Sequence, residues 1–369
     1  MTRLTLNWLF LFVLMGGFAI AAEATLLERA KKGDATAQFD LGFKYEKGDG
    51  GPKNNSEALK WYRMSAEQRY AKAQCNLGLM YADGKGVQRD PVEAVKWFRL
   101  AADRGFATAQ YNLGLMYDKG DGVREDSAEA TRWYRRAAEQ GYISAEFNLG
   151  RMYASGRGIA KDSLLAMQWY RKAAEKGAAD AQNSLGLMYA DGNGAPKNTT
   201  EAVKWFRKSA EQGYATAQFN LGKMYSDGEG VPKDKTEAVK WYRKAAAQND
   251  DSAQFNLGLM YDVGDGVPQD SAEAVKWYRS AARQGYVVAQ FNLGKMYANG
   301  EGVLKNSNEA LAWFTIAAAS GDEPSAKNRD LLERRMGTAT ALSARQRSKQ
   351  ILKEIEAAKR GAISPTAKD

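Results

Sequence analysis

The chain has 369 residues, with 53 lysines and arginines, 44 aspartates and glutamates, one cysteine and no histidine. Without histidine it cannot form a Ser-His-Asp triad, a Cys-His dyad or an imidazole metal site. A single cysteine excludes an intrachain disulfide and a cysteine-rich zinc site, so we expect no catalytic residues, no metal and no cofactor.

The net charge of +9 is unevenly distributed along the chain. Residues 323–369 carry 11 lysines and arginines against 6 acidic residues, whereas residues 35–322 carry 38 against 35. A nearly neutral body of this length argues against nucleic acid as a partner. The basic end could contact anionic molecules, although mixed charge is more often a solvated helix face.

The first 24 residues have the three parts of a secretory signal peptide. A positive charge at Arg3 precedes an apolar stretch over residues 4–20, and small residues follow. Cleavage after Ala24 or after Ala21 suits this pattern. The alternative is an uncleaved anchor, because about 20 apolar residues span a bilayer. No second apolar run follows, so we expect an exported protein, periplasmic or secreted, without a transmembrane segment once the signal is cleaved.

The sequence repeats every 36 residues. After Trp8, every tryptophan is 36 residues from the next, and a Leu-Gly pair keeps the same step. Internal repeats of this length are the signature of helical arrays. Eight units are therefore predicted over residues 35–70, 71–106, 107–142, 143–178, 179–214, 215–250, 251–286 and 287–322.

The unit at residues 215–250 shows the pattern of its first helix. Ala217, Leu221 and Met224 recur at i, i+4 and i+7, which places them on one side of a helix. Gly222 lies in this stripe, where glycine costs about 1 kcal/mol relative to alanine. Because all eight units have a glycine there, we expect the backbones of the two helices to approach closely.

A breaker segment at residues 228–232 separates this helix from the second one. Asp234 and Glu237 then have the spacing of a capping box, in which the glutamate reaches back to the capping residue. Only the fourth unit departs from this spacing, with Leu165 after Asp162. Five positions at i, i+3, i+4, i+7 and i+8 are predicted to be buried on the second helix: Ala238, Trp241, Tyr242, Ala245 and Ala246.

Each unit is thus an antiparallel helix pair with a wide apolar side that only a neighbouring unit can cover. The fold is predicted to be all-α, a solenoid of eight helix-turn-helix repeats. Residues 25–34 match the end of a second helix and are predicted to be an N-terminal capping half-helix. Residues 323–369 leave the register and are predicted to form basic C-terminal capping helices and a tail.

The recurring motif A-x-x-x-L-G-x-M-Y-x-x-G-x-G-V, followed by E-A-V-K-W-Y-R-K-A-A-x-x-G, resembles the Sel1-like repeat family, which is related to the tetratricopeptide repeats. The resemblance covers residues 35–322 and departs slightly at Lys44, where the other units have methionine. It implies a right-handed α/α superhelical solenoid that acts as a protein-interaction scaffold. For bacterial proteins it implies roles in envelope assembly, signalling or host interaction.

Three repeating features could be binding sites but have simpler structural explanations. The tryptophans have the spacing of core residues. The Gly-x-Gly loops follow no strand, which argues against a phosphate-binding fingerprint. An arginine follows the Trp-Tyr/Phe pair in seven units, from Arg63 to Arg279. These arginines could present a cationic stripe, but pairing with glutamates and stacking on the neighbouring ring is the favoured interpretation.

The candidate binding surface is the face of the first helices away from the Leu/Tyr stripe, which by analogy with tetratricopeptide arrays would be concave. It carries a column of aromatic residues beside a column of amides, as a groove for peptides requires. The alternative is that the rings pack between units and the amides cap local carbonyls. Cys75 interrupts the aromatic column, as a small buried residue or as a thiol that pairs with another chain. The candidate partner-binding residues are Tyr111, Asn112, Phe147, Asn148, Phe219, Asn220, Phe255, Asn256, Phe291 and Asn292.

A second column one turn further along these helices has leucine in four of the eight units, and Arg151, Lys223 and Lys295 break its uniformity. The function predicted from all of this is a non-catalytic scaffold or adaptor that binds a protein or an extended peptide of unknown identity. One alternative is a binder of anionic envelope polysaccharide or lipid through the arginines and the basic tail. A hydrolase with paired carboxylates is less favoured, because no insertion exists to build a pocket.

Overall fold

The computed structural model describes residues 25–363, apart from the side chains of residues 338, 339 and 358–363. The proposed signal peptide lies outside these residues. The described part is all helical, which confirms the predicted fold class. Residues 25–31 form α1. The first helix of each repeat, called the A helix, is α2 (Ala35–Lys47), α4 (Ala71–Asp83), α6 (Ala107–Lys119), α8 (Ile143–Ser155), α10 (Ala179–Asp191), α12 (Ala215–Asp227), α14 (Asp251–Val263) or α16 (Val287–Asn299).

The second helix of each repeat, called the B helix, packs antiparallel to its A helix. Two further helices follow the last repeat, α18 (Glu323–Arg335) and α19 (Thr338–Ile363). The chain divides into two compact units between Lys176 and Gly177. Within each unit every B helix also contacts the next A helix, as in a solenoid. The B helices are α3 (Asn55–Glu67), α5 (Pro91–Ala102), α7 (Ser127–Glu139), α9 (Ser163–Glu175), α11 (Thr199–Glu211), α13 (Lys235–Ala247), α15 (Ser271–Gln284) and α17 (Ser307–Ala319).

The helical glycine of each repeat makes room for an aromatic ring. A Cβ added at Gly222 would lie 2.8 Å from Cδ1 of Tyr242 and 3.3 Å from the carbonyl oxygen of Ala238. The predicted close approach is therefore present, and it is mainly between the A-helix backbone and a B-helix ring. The ring of Tyr242 is buried by this arrangement. Tyrosine or phenylalanine occupies the equivalent position in every repeat.

The two glycines of each Gly-x-Gly loop serve different purposes. Gly228 ends α12 in the left-handed conformation, with φ 77°, and donates its N–H to the carbonyl of Met224. Gly230 has φ +72°, and a Cβ there would lie 2.3 Å from the carbonyl oxygen of Thr199, at the start of the preceding B helix. The first glycine is thus a helix cap, and the second allows two repeats to touch through their backbones.

The capping residues of the B helices behave as predicted, but the glutamates three residues later do not. Asp234 accepts a hydrogen bond from the backbone N–H of Glu237 at 2.9 Å. The N–H of Asp234 itself donates to the carbonyl of Tyr225, and the Glu237 carboxylate pairs with Lys240 at 2.7 Å. The predicted return hydrogen bond from the Asp234 N–H to the Glu237 carboxylate was therefore wrong, because that N–H already donates to the carbonyl of Tyr225. This also explains why Leu165 is tolerated in the fourth repeat, where Asp162 still caps the helix.

Helices outside the repeats cover both ends of the array. Ala30 of α1 is fully buried, and its carbonyl accepts a hydrogen bond from Gln38. At the other end α19 packs on α17 and α15. Ile351 and Ile355 of α19 join the core formed by Trp313 and its neighbours. The apolar sides of the terminal repeats are thereby removed from water, as capping elements of a repeat array must do.

Candidate interaction surface

The aromatic column of the A helices is half-buried in the structure. Each ring contacts the ring of the B-helix Tyr or Phe in its own repeat, with centroids 5.6–6.0 Å apart. Such offset and tilted pairs stabilise a fold beyond their buried area. The column therefore helps to hold each repeat together, and every ring keeps part of its surface exposed. Tyr111 and Phe255 also contact a second ring, Tyr142 and Tyr286 respectively. The members of the column are Tyr111 on Tyr134, Phe147 on Tyr170, Phe219 on Tyr242, Phe255 on Tyr278 and Phe291 on Phe314.

The amides beside the rings bind groups of the protein itself. Asn112 and Asn256 donate to carbonyls one turn earlier in their own helices, at 2.9 and 2.8 Å. Asn220 donates to the side chain of Asn183 in the preceding repeat at 2.9 Å. Asn148 is buried, and Asn292 is half-buried. This geometry corresponds to the alternative in which the amides satisfy internal groups, so a bound peptide backbone would have to compete for them.

The residues one turn beyond the rings are the exposed part of this face. Leu187 and Leu259 each keep 39% of their surface exposed, and Phe43 keeps 45%. Lys223 and Lys295 are also exposed. Because residues four apart lie on the same side of a helix, these side chains flank the half-buried rings. We call this stripe of rings and their exposed neighbours the A face.

The arginines of the B helices are engaged within the protein, but not by glutamates. In six repeats the guanidinium donates to a tyrosine hydroxyl 18 residues later, on the next A helix. The glutamates instead pair with lysines or an arginine three residues later in their own helices, as Glu237 does. The predicted glutamate partner was therefore wrong. Four of these arginines do lie over an aromatic ring, 5.6–5.9 Å from its centroid, but the ring belongs to the same tyrosine of the next A helix and not to the Trp-Tyr/Phe pair. The pairs are Arg63–Tyr81, Arg99–Tyr117, Arg135–Tyr153, Arg207–Tyr225, Arg243–Tyr261 and Arg279–Tyr297.

The tryptophans belong to the core, and cations cover four of them. Trp61, Trp133, Trp205, Trp241 and Trp313 are buried, and the remaining three of the repeat are half-buried. A lysine or arginine three residues later lies 3.9–4.5 Å from the ring centroid in repeats 3 to 6, which is cation–π geometry. The outer side of these B helices is therefore cationic and well solvated.

The sequence analysis did not predict a buried glutamine in the A helix that forms a hydrogen bond with a second glutamine at the end of the B helix in most repeats. The buried Gln218 donates to the carbonyl of Ala210 at 3.1 Å and accepts from Gln248 at 2.9 Å. In the fourth repeat the buried Glu146 and the partly exposed Lys176 replace the two glutamines, with Nζ and Oε1 2.6 Å apart. The signal was present in the sequence, because glutamine recurs at this position in seven of the eight units.

Cys75 is buried, which agrees with the interpretation as a small core residue. Burial raises the pKa of its thiol to about 12. A thiol that stays protonated at neutral pH is a poor nucleophile and forms disulfides slowly. The described residues contain no cluster of three or more Cys, Asp or Glu that could hold a metal ion. None of the described helices is long and apolar enough to cross a bilayer.

Comparison with known proteins identifies the repeat. The Sel1 repeat family model matches residues 35–70, 71–106, 107–142, 143–177, 179–214, 215–250, 251–286 and 287–322. No curated protein matches the chain. A solved Sel1 repeat protein from Oxalobacter formigenes is 35% identical, with a TM-score of 0.67, and the match covers 84% of this chain and 90% of that one.

A second solved structure is c5321, a protective antigen of uropathogenic Escherichia coli strains. It is 32% identical with a TM-score of 0.50, and the match covers 94% of this chain and 91% of that one. Sel1 repeats mediate protein–protein interactions and are generally found in scaffolds. With eight matched repeats over residues 35–322 and two relatives of nearly full coverage, the chain belongs to the Sel1 repeat family.

Proposed function

We propose that the chain is an exported, non-catalytic adaptor that binds a protein or an extended peptide segment along its A face. One observation supports this choice of face. Among the described helices of repeats 5 to 8, every exposed large apolar side chain lies on an A helix: Leu187, Leu259, Val263 and Val288. The B helices of repeats 1 to 4 carry such side chains as well (Met64, Val92, Leu100 and Leu164), so the proposed face is that of repeats 5 to 8. Apolar side chains left in water on one face are typical of a protein interaction site.

The B helices of the same repeats present a surface of a different kind. Lys204 and Lys240 pair with glutamates of their own helices, and Lys208 and Lys244 lie over tryptophan rings. Exposed pairs of this type keep a surface solvated and contribute little binding energy. An anionic polymer held by the arginines is the weaker candidate, because six of those guanidinium groups already bind tyrosine hydroxyls.

Export is proposed on the N-terminal pattern, which lies outside the described residues. We expect the mature chain to begin at Ala22 or Thr25, since signal peptidase cleaves after a small residue. Mass spectrometry of the intact protein, purified from the periplasm and from the culture medium of the expressing bacterium, measures this directly. A chain of full mass that stays with the membrane fraction would contradict cleavage and support an anchor.

The binding face can be tested by site-specific photo-crosslinking in living cells. A photoreactive phenylalanine analogue replaces Leu187, Lys223 or Leu259 on the A face, or Lys204 or Lys240 on the B helices. All five positions are exposed, so the analogue does not disturb the core. We expect a discrete crosslinked protein from the A-face positions and none from the B-helix positions.

The aromatic column is unsuitable for this test. Replacing Phe219 or Phe255 by a charged residue would remove a ring that packs on Tyr242 or Tyr278, and a loss of binding would then report a loss of folding. The exposed positions avoid this problem. Crosslinks from the B-helix positions alone, or equally from both sides, would overturn the proposed face.

A further inference from the structure

A groove of about 540 Å³ lies where α18 follows the last repeat. One wall is the A face of α16, with Phe291 and Lys295. The opposite wall is α18, with Leu331 and Arg335. Lys305, from the loop between α16 and α17, reaches the same groove. Phe291, the last ring of the candidate surface, and α18, which the sequence analysis predicted only as a capping helix, therefore line the same groove.

Three cations line this groove, and no carboxylate does. Within residues 25–363, Lys295, Lys305 and Arg335 make no ion pair; Lys295 lies 5.8 Å from the centroid of the Phe291 ring. Three uncompensated positive charges around one concavity create a local field that favours an anion.

The two acids of α18 that are nearest to Arg335 in the sequence are directed elsewhere. Asp330 pairs with Arg329, and Glu333 pairs with Arg345 of α19, on the side of α18 away from the groove. The positive charge of the groove is therefore not neutralised by these two acids of α18, because each of them is already paired with an arginine. Glu301, in the loop after α16, accepts a hydrogen bond from Asn299, which lines the groove.

The remaining lining is mixed, with polar side chains from Asn299, Ser307 and Asn328. Leu331, which is 47% exposed, forms an apolar surface with Leu332, Met336 and the ring of Phe291. Phe314 closes the floor. A simple inorganic anion would use the cations but leave this apolar surface uncovered. A peptide that alternates carboxylates with apolar side chains would use both.

We propose that this groove binds an acidic peptide segment of the partner, with at least two carboxylates and an adjoining apolar side chain. The proposal rests on the proposed function, because it assigns the chemistry of the partner at one end of the A face. The carboxylates pair with Lys295, Lys305 and Arg335, and Arg335 can hold one of them with two parallel hydrogen bonds. The apolar side chain lies between Phe291 and Leu331.

The test is a selection from a random library of 12-residue displayed peptides on the purified chain. We expect the selected peptides to be enriched in aspartate and glutamate beside leucine or an aromatic residue. The best one is then synthesised with a fluorophore, together with a twin in which every acid is replaced by its amide. On the Lys295→Gln/Lys305→Gln/Arg335→Gln variant the acidic peptide is expected to bind at least tenfold more weakly, and the amide twin is expected to bind the native chain at least tenfold more weakly.

The matched control is Lys204→Gln/Lys240→Gln/Lys276→Gln, which removes three exposed cations from B helices of the same unit. Peptide affinity should change by less than about twofold in this variant, because screening limits the effect of distant exposed charges. Selected peptides without acidic enrichment, no selected peptide at all, or equal losses in both variants would overturn the proposal. If peptides bind and crosslink to position 223 or 259 while ignoring the groove variant, the A-face function stands and only the groove assignment fails.

Discussion

Replacing Gly230 by alanine is expected to lower the free energy of unfolding by about 3–5 kcal/mol. The new methyl group would lie 2.3 Å from the carbonyl oxygen and 2.4 Å from the carbonyl carbon of Thr199. Both atoms belong to the backbone of the neighbouring repeat and cannot rotate away. Overpacking of this kind adds to the strain of a non-glycine residue at φ +72°. Urea unfolding followed by circular dichroism and tryptophan fluorescence measures the change.

Gly213→Ala is the matched control for this prediction. Gly213 also has a positive φ, +91°, but nothing lies within 4 Å of an added Cβ. Its variant therefore carries the backbone strain alone, and we expect a loss of about 1 kcal/mol. The difference between the two variants isolates the contact between repeats. Equal losses would show that the close approach at Gly230 contributes nothing to stability.

Replacing Lys176 by methionine is expected to cost about 3–5 kcal/mol. The Glu146 side chain is only 3% exposed, and its Oε2 has no hydrogen-bond partner in the part of the chain that the structure describes. Lys176 Nζ, 2.6 Å from Oε1, is thus what compensates the buried charge. Removing one partner of a buried pair leaves an uncompensated ion, which is far more costly than removing both. The same urea titration at neutral pH gives the magnitude.

The repeats themselves supply the control for the Glu146–Lys176 pair. In the double variant Glu146→Gln/Lys176→Gln, the ion pair is replaced by a Gln-Gln hydrogen bond of the kind that Gln218 and Gln248 form two repeats later. We expect this double variant to lie within about 1 kcal/mol of the native chain, because neutral amides satisfy each other without burying a charge. Glu146→Gln alone should also be mild, since Lys176 is 40% exposed and can be hydrated. A double variant as unstable as Lys176→Met would contradict the argument.

The sequence predicts the helices and their order because each repeat carries the same local signals. The apolar stripe of Leu221 and Met224, the left-handed Gly228 and the capping Asp234 act within a few residues of one another, and their effect depends little on the rest of the chain. The eight repeats also show which features are structural. A glycine that occurs at the same position in all eight units is explained by one contact that every unit makes. The fold class and the family are confirmed for this reason.

Partners at longer range could not be predicted in the same way. Periodicity within one helix does not reveal the partner of Arg243, and only the packing of one repeat on the next places the Tyr261 hydroxyl against its guanidinium group. The predicted hydrogen bond between the Glu237 carboxylate and the Asp234 N–H is absent for a similar reason, because the conformation of the loop places that N–H against the carbonyl of Tyr225. Such choices depend on which of two acceptors the tertiary structure brings into hydrogen-bond distance.

The candidate site divides along the same line. Helical periodicity fixes which residues share a face, so the columns of rings, amides and leucines could be predicted from the sequence. The depth at which the rings are buried and the internal groups that the amides bind depend on how the helices pack, and they became visible in the structure. The tertiary structure also packs α18 on α17, and it thereby places Lys295 and Arg335, which are 40 residues apart, in the lining of one groove. The burial of side chains and the proximity of charges that are distant in the sequence both result from packing between helices, and this packing cannot be read from the periodicity of the sequence.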